Sequence, residues 1–184
     1  MPISFTRTPP ATLTKGRVIE DRPGHGIRRI RMSTRITRMN RMQVCCYLMD
    51  GILIDTGFSH VGDLLLSKLE NSEISLIACT HHHEDHTGNA ARLARIHDCP
   101  VYMHNAHRFQ SEGIVDMLFY RRWFWGPVAP YRPAELPHRI EHSGRTLVPI
   151  PIPGHSVTHV TYHEPETGVV FTGDLYVSGG ATAV

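Results

Sequence analysis

The stretch Ile74-Ser75-Leu76-Ile77-Ala78-Cys79, running without a break into Thr80-His81-His82-His83-Glu84-Asp85-His86, decides how the rest of the chain is read. Its first six residues are almost wholly apolar, which predicts a short strand buried on both faces. Its last seven carry His81, His83, Asp85 and His86 in the spacing H-x-H-x-D-H. Side chains two residues apart on an extended backbone share a side, so His81 and His83 project together. A tight turn after them brings Asp85 and His86 round to a second, neighbouring point. Imidazole and carboxylate donors in combination suit zinc, iron or manganese rather than calcium or magnesium. Without a cation among them, so many imidazoles and acids would repel or desolvate one another at a cost that no packing role explains. The end of a buried strand is also where α/β sheets place their chemistry.

The flanking sequence alternates strands and helices. Val44–Leu48 reads as a strand, Asp50-Gly51 as a hairpin turn and Ile52-Leu53-Ile54 as the returning strand, which Asp55-Thr56-Gly57 ends abruptly. Val61, Leu64, Leu65 and Leu69 recur at helical spacing, with Ser59 as the expected N-cap. A helix over 89–96, a strand over 101–103 and a short helix over 105–112 follow. Segment 117–137 holds Phe119, Tyr120, Trp123, Phe124 and Trp125, then Pro127, Pro130, Pro133 and Pro137. It suits a lid facing a substrate and a hydrophobic plug closing the core equally well. Strands are expected again over 147–152, 157–163 and 169–172, with Glu166-Thr167-Gly168 as a turn. The class is therefore α/β with mixed sheets, and no internal repeat is visible.

Composition excludes several alternatives. In 184 residues, 41% are hydrophobic and 20% charged, as in soluble domains that bury a core without disulfides. No apolar run approaches the ~18 residues that span a bilayer. Cys45, Cys46, Cys79 and Cys99 show no C-x-x-C pairing, so neither a zinc ribbon nor a disulfide frame is indicated. Fourteen histidines point first to metal. The net charge of +2 is unevenly spread, because residues 1–43 hold ten Lys/Arg against two acids. Ile30, Met32, Thr34 and Ile36 alternate there with Arg29, Arg31, Ser33 and Arg35, the period of a strand with one wet face. Its arginines could form a nucleic-acid surface; the preferred reading is a solvated edge strand whose charges deter edge pairing. Residues 1–15 read as a flexible tail before a domain over 16–184. With no signal-peptide core in that tail, the cytoplasm is the expected compartment.

Two further pieces complete a pattern. Pro153-Gly154-His155-Ser156 places a histidine in a glycine turn after an apolar strand, and Phe171-Thr172-Gly173-Asp174 places an aspartate at the end of another. With Asp55-Thr56-Gly57 and the histidine string, in this order, the sequence resembles the metallo-β-lactamase-fold superfamily of metallohydrolases over residues 16–184. The resemblance implies an αββα sandwich with metals at one edge between two sheets. It implies that His81, His83 and His155 hold a first metal, that Asp85 and His86 hold a second, and that Asp174 bridges both. It gives Asp55 the role of bracing the metal-binding loop through hydrogen bonds. His159, four residues past His155, is a candidate contact behind the ligands, and His163 a weaker one. His82 and Glu84 are expected to point away, and the remaining histidines to serve surface or packing roles. Family members with two full sites take one more histidine from a later strand. None of the ten residues after Asp174 is histidine, so the second half of the sandwich is expected to be incomplete and its C-terminal part missing.

The activity implied is that of a metal-dependent hydrolase. A bound cation lowers the pKa of water from 15.7 to about 7, giving a hydroxide nucleophile at neutral pH. Asp85 would orient it toward an ester-like bond in a small-molecule substrate: a thioester, lactone or lactam. Two zinc ions are the expected cofactors, with iron or manganese as substitutes. No nucleic-acid or membrane partner is expected, and an exposed sheet edge would favour a homo-oligomer. Three other readings compete: a phosphodiesterase or nuclease of the same fold, a mononuclear iron oxygenase acting on a thiol adduct, and an inactive metal-binding fragment.

Overall fold

The computed structural model describes residues 9–106 and 119–176. One helical turn, α1 (Ala11–Thr14), precedes the first hairpin, β1 (Gly16–Gly24) and β2 (Ile27–Thr34). Helix α2 (Arg35–Met39) leads to β3 (Val44–Met49) and β4 (Ile52–Ile54). Asp50 and Gly51 both take positive φ, 42° and 85°, the twist that suits a two-residue hairpin turn. A 3-10 turn over Ser59–Val61 enters α3 (Gly62–Leu69), and β5 (Leu76–Ala78) then runs parallel to β4. The short α4 (Glu84–Thr87) and α5 (Ala90–His97) cross to β6 (Val101–Met103), parallel to β5. After α6 (Phe119–Trp125), β7 (Ala134–Glu135) closes a seven-stranded sheet in sequence order. A second, antiparallel sheet runs in the order β11 (Val169–Phe171), β10 (Val160–Glu164), β9 (Arg145–Pro151) and β8 (Ile140–His142).

Two cores explain why the central strands are apolar throughout. Leu53 and Ile77 join Leu65, Leu69 and Leu93 between the large sheet and its helices. Their strand neighbours Ile52, Ile54, Leu76 and Ala78 point the opposite way, against Ile140, Leu147, Val160, Tyr162 and Phe171 of the second sheet. Period-two alternation persists, but both faces are covered, so no polar residue marks it. A fully buried leucine or isoleucine contributes roughly 2 kcal/mol by transfer from water. Helix, sheet and sheet are thus three successive layers of the expected sandwich.

Several expectations are corrected. The basic strand is internal, lying between β1 and β3, because Gly16–Gly24 supplies an edge strand that its mixed composition concealed. Arg28 is paired with Glu20 at 2.9 Å, while Arg29 and Arg31 meet Asp21 at 2.8 and 3.1 Å. The strand also stops at Thr34, whose hydroxyl caps α2, so Arg35 and Ile36 are helical. Ser59 does not cap a helix; its hydroxyl donates to the Trp125 carbonyl. Residues 157–159 form a turn, with β10 beginning at Val160. Of segment 117–137, Trp125 is buried in the helix-side core, where Phe124 and Tyr131 pack against it. Those residues favour the plug; 117 and 118 lie outside the described residues, as do 1–8 of the expected tail and most of the helix expected over 105–112. Among the described residues, no helix is long and apolar enough to cross a membrane.

Candidate metal centre

The C-terminal ends of β4 and β5 meet the β9–β10 loop and the turn after β11, and the histidines gather there. Asp55, the first residue past β4, is buried with φ 58°. One carboxylate oxygen accepts from the Thr80 backbone N–H at 2.7 Å; the other accepts from the Thr80 hydroxyl at 2.9 Å and from His86 Nδ1 at 2.8 Å. Asp55 thereby fixes where β5 ends and turns the His86 Nε2 toward the cluster. Because the Thr80 hydroxyl gives its proton to Asp55, it can only accept from His81 Nδ1, 3.1 Å away. That fixes the tautomer of His81, with Nε2 free to face the other rings.

The ring nitrogens of His81, His83 and His155 lie within 4.8 Å of one another. His83 Nδ1 stands 3.1 Å from His81 Nε2 and 2.9 Å from His155 Nε2. His81, His86 and Asp174 form a second such group, also within 4.8 Å. The two oxygens of Asp174 point at different histidines: Oδ1 is 3.1 Å from His86 Nε2, and Oδ2 is 3.4 Å from His155 Nε2. Asp85 stands slightly apart, its Oδ2 3.8 Å from His86 Nε2. The His159 ring lies 5.1 Å from that of His81, and its Nε2 accepts the Asp174 backbone N–H at 3.2 Å. Gly173 makes this possible: with φ 52°, a Cβ there would meet His159 Nε2 at 2.9 Å and the Thr80 hydroxyl at 3.0 Å.

The electrostatics suit a cation. Burial, reinforced by neighbouring imidazoles, holds His81 neutral far below the usual histidine range. Burial, with His82 and Arg121 nearby, brings His83 down to about 3. Burial opposes ionisation of Asp174, but its hydrogen bond to His86 and the charges of His86 and His155 bring it down to about 2. Burial raises Asp85. His86 is the exception: burial disfavours its charge, yet Asp55, Asp85 and Asp174 outweigh it and hold its proton well above the usual range. Neutral imidazoles beside carboxylates are a donor set for zinc or iron. Asp85 Oδ1 and His159 Nδ1 are buried with no hydrogen-bond partner. The Asp85 oxygen is an acceptor that a cation's bound water would satisfy, whereas His159 Nδ1 carries the ring proton, since Nε2 accepts from the Asp174 N–H. The residues fit the metal centre that the family implies.

Comparison with known proteins settles the family. The sequence profile described as the metallo-beta-lactamase superfamily matches residues 39–181. The chain belongs to that superfamily. The hydroxyacylglutathione hydrolase of Synechococcus sp. (strain JA-3-3Ab) is 32% identical over 123 residues, covering 65% of this chain and 42% of the relative. The atrochrysone carboxyl ACP thioesterase of Claviceps purpurea (strain 20.1) is 30% identical over 141 residues, covering 72% of this chain and 38% of the relative. The chain therefore spans about two-fifths of the length of these two relatives. The crystal structure of a beta-lactamase domain protein from Burkholderia ambifaria superposes with a TM-score of 0.68 at 17% identity, covering 90% of this chain and 59% of that one. It has the same metallo-β-lactamase fold.

Three residues around the centre escaped the sequence reading. Read along the chain, Thr80 has no role beyond opening the histidine string, although its hydroxyl ties Asp55 to the histidines. Arg121, in an aromatic helix, forms an ion pair with the buried Glu84. His82 does point away from the cluster, but into a bonded pair of hydroxyls, Ser156 and Thr158.

Proposed function

We propose that this chain carries the metal-binding core of a hydrolase acting on an ester-like bond, a thioester first among them. The observation that carries the reading is the convergence of His81, His83 and His155, and of His81, His86 and Asp174, each within 4.8 Å. His81, His83 and His155 would hold one zinc ion; His86 and Asp85 would hold a second, with Asp174 between the two. Zinc there would supply Lewis acidity toward a carbonyl oxygen and bring water's pKa close to neutrality. Asp85 Oδ1, buried and without a hydrogen-bond partner, would accept a hydrogen bond from the attacking water and so orient it. Asp55 and Thr80 keep the rings of His86 and His81 in one orientation, which removes the entropic cost of arranging them at each turnover. The thioester preference draws on the names of the relatives, a hydroxyacylglutathione hydrolase and an ACP thioesterase.

The nuclease reading has less to support it, since Arg28 pairs with Glu20 and Arg29 and Arg31 share Asp21, leaving the exposed Arg35, Arg38 and Arg41 as its basis. The purified, untagged chain should carry close to two equivalents of zinc, and His83→Ala should lose at least half of them. A panel of thioesters, lactones and esters then tests the reaction. One equivalent, chiefly iron, would shift the reading to the oxygenase; a folded chain that takes up no metal would overturn it.

A further inference from the structure

We propose that His82, together with Ser156 and Thr158, is a positioning group that presets the His155 loop against the His81–His83 turn before any metal arrives. The inference rests on His81, His83 and His155 being metal ligands. These ligands come from two places far apart in sequence: the turn after β5 and the β9–β10 loop. That loop has little packing of its own, since Pro153, Gly154 and Val157 are exposed. Its inward residues are His159, which meets the Asp174 N–H, and Ser156 and Thr158, small hydroxyl side chains that are buried and so need hydrogen bonds to lie there without loss. His82 supplies them. Its Nδ1 bonds the Ser156 hydroxyl at 2.9 Å and the Thr158 hydroxyl at 3.1 Å, and its backbone N–H donates to the same Thr158 hydroxyl at 3.1 Å. The hydroxyls bond each other at 3.0 Å, and the Thr158 backbone N–H donates to Ser156 at 3.2 Å.

The consequence is geometric. His82 lies between His81 and His83, while Ser156 is next to His155, so the tie fixes both donor segments one residue from their ligands. Its other flank is fixed by the Thr87 hydroxyl, which donates to the carbonyls of His82 and His83 at 3.2 and 3.0 Å. Without it, the loop keeps the Val160 N–H to the Thr80 carbonyl at 2.8 Å and the Asn105 amide to the Val157 carbonyl at 2.9 Å, but Ser156 and Thr158 lose their anchor to the His81–His83 turn. The fold should then survive while the ligand geometry loosens.

The test is zinc affinity of the full chain, by competition with a chelator, together with the visible absorption spectrum of the cobalt-loaded protein. His82→Ala should weaken zinc binding 10- to 100-fold, as loss of a group behind the ligands generally does, and should broaden the cobalt bands. His82→Asn, whose amide can reach the position of Nδ1, should recover most of the affinity. Arg145→Ala, which loosens the opposite end of the sandwich, should leave affinity within twofold of wild type and controls for general destabilisation. If His82→Ala does not fold, Ser156→Ala carries the test with the same expectation. Wild-type affinity and spectrum in a folded His82→Ala, or in Ser156→Ala in its place, overturns the proposal while leaving the metal site intact. A wild-type chain that binds no zinc overturns the metal site itself, and this inference with it.

Discussion

Asp55 occupies the left-handed region at the end of β4, where asparagine and aspartate are the side chains that tolerate it best. Asp55→Asn therefore keeps both shape and backbone and isolates the carboxylate. All the groups facing it are donors: the Thr80 N–H, the Thr80 hydroxyl and His86 Nδ1. An amide NH₂ set against the Thr80 N–H leaves two donors opposed in a buried place, and set on the other side it deprives His86 Nδ1 of its acceptor. The substitution should cost about 2–3 kcal/mol, as expected for a charged hydrogen-bond group removed from its partners, read by urea unfolding of the metal-free chain. Zinc affinity should fall about 10- to 100-fold in the same variant, because the orientation of His86 depends on that carboxylate. Unchanged stability and affinity would mean that Asp55 braces nothing.

Arg145 does at the element scale what Asp55 does at the residue scale. From β9 it donates to Asp50 in the β3–β4 turn at 2.7 Å, to Glu164 on β10 at 2.8 Å and to the His25 carbonyl in the β1–β2 turn. It thus binds the two sheets together at the end away from the histidines. Glu164 is almost inaccessible, with a side chain 1% exposed. Burial alone would raise its pKa, but the Thr167 hydroxyl and the Arg145 guanidinium outweigh burial and lower it. A carboxyl with a lowered folded-state pKa stabilises the fold above its ordinary value, about 4.5, and loses that contribution as pH falls through the folded-state value. Arg145→Ala removes that compensation and leaves a buried carboxylate short of a cation. The variant should lose about 3 kcal/mol at pH 7 and much less at pH 3. Denaturant midpoints at the two pH values measure it; an equal loss at both would assign Arg145 a packing role alone.

At the scale of the whole molecule, the ligands come from the turn and short helix after β5, the β9–β10 loop and the turn after β11, so a cation would link both sheets and stabilise only the folded state. Zinc at a hundredfold excess over its dissociation constant should add about 2.7 kcal/mol. Melting with and without chelator reads this as a rise in Tm that is absent in His83→Ala. The same geometry marks how far the sequence could be read. H-x-H-x-D-H after an apolar strand, with His155 and Asp174 each in a glycine turn, determined the donor chemistry and the family, because spacing fixes donor type and neighbours share a turn. The apolar runs determined β3, β4 and β5 for the same local reason. Tertiary structure alone decided the rest. Gly16–Gly24 carries too few apolar residues to announce an edge strand, and it is pairing with Glu20 and Asp21 that gave the arginines of an apparent charged surface acidic partners on the neighbouring strand. Thr80, His82, Ser156 and Arg121 have no signature along the chain. What they do depends on partners 25 to 76 residues away: pairing of β4 with β5 brings Asp55 to Thr80, α6 brings Arg121 to Glu84 in α4, and packing of one sheet on the other brings Ser156 and Thr158 to His82.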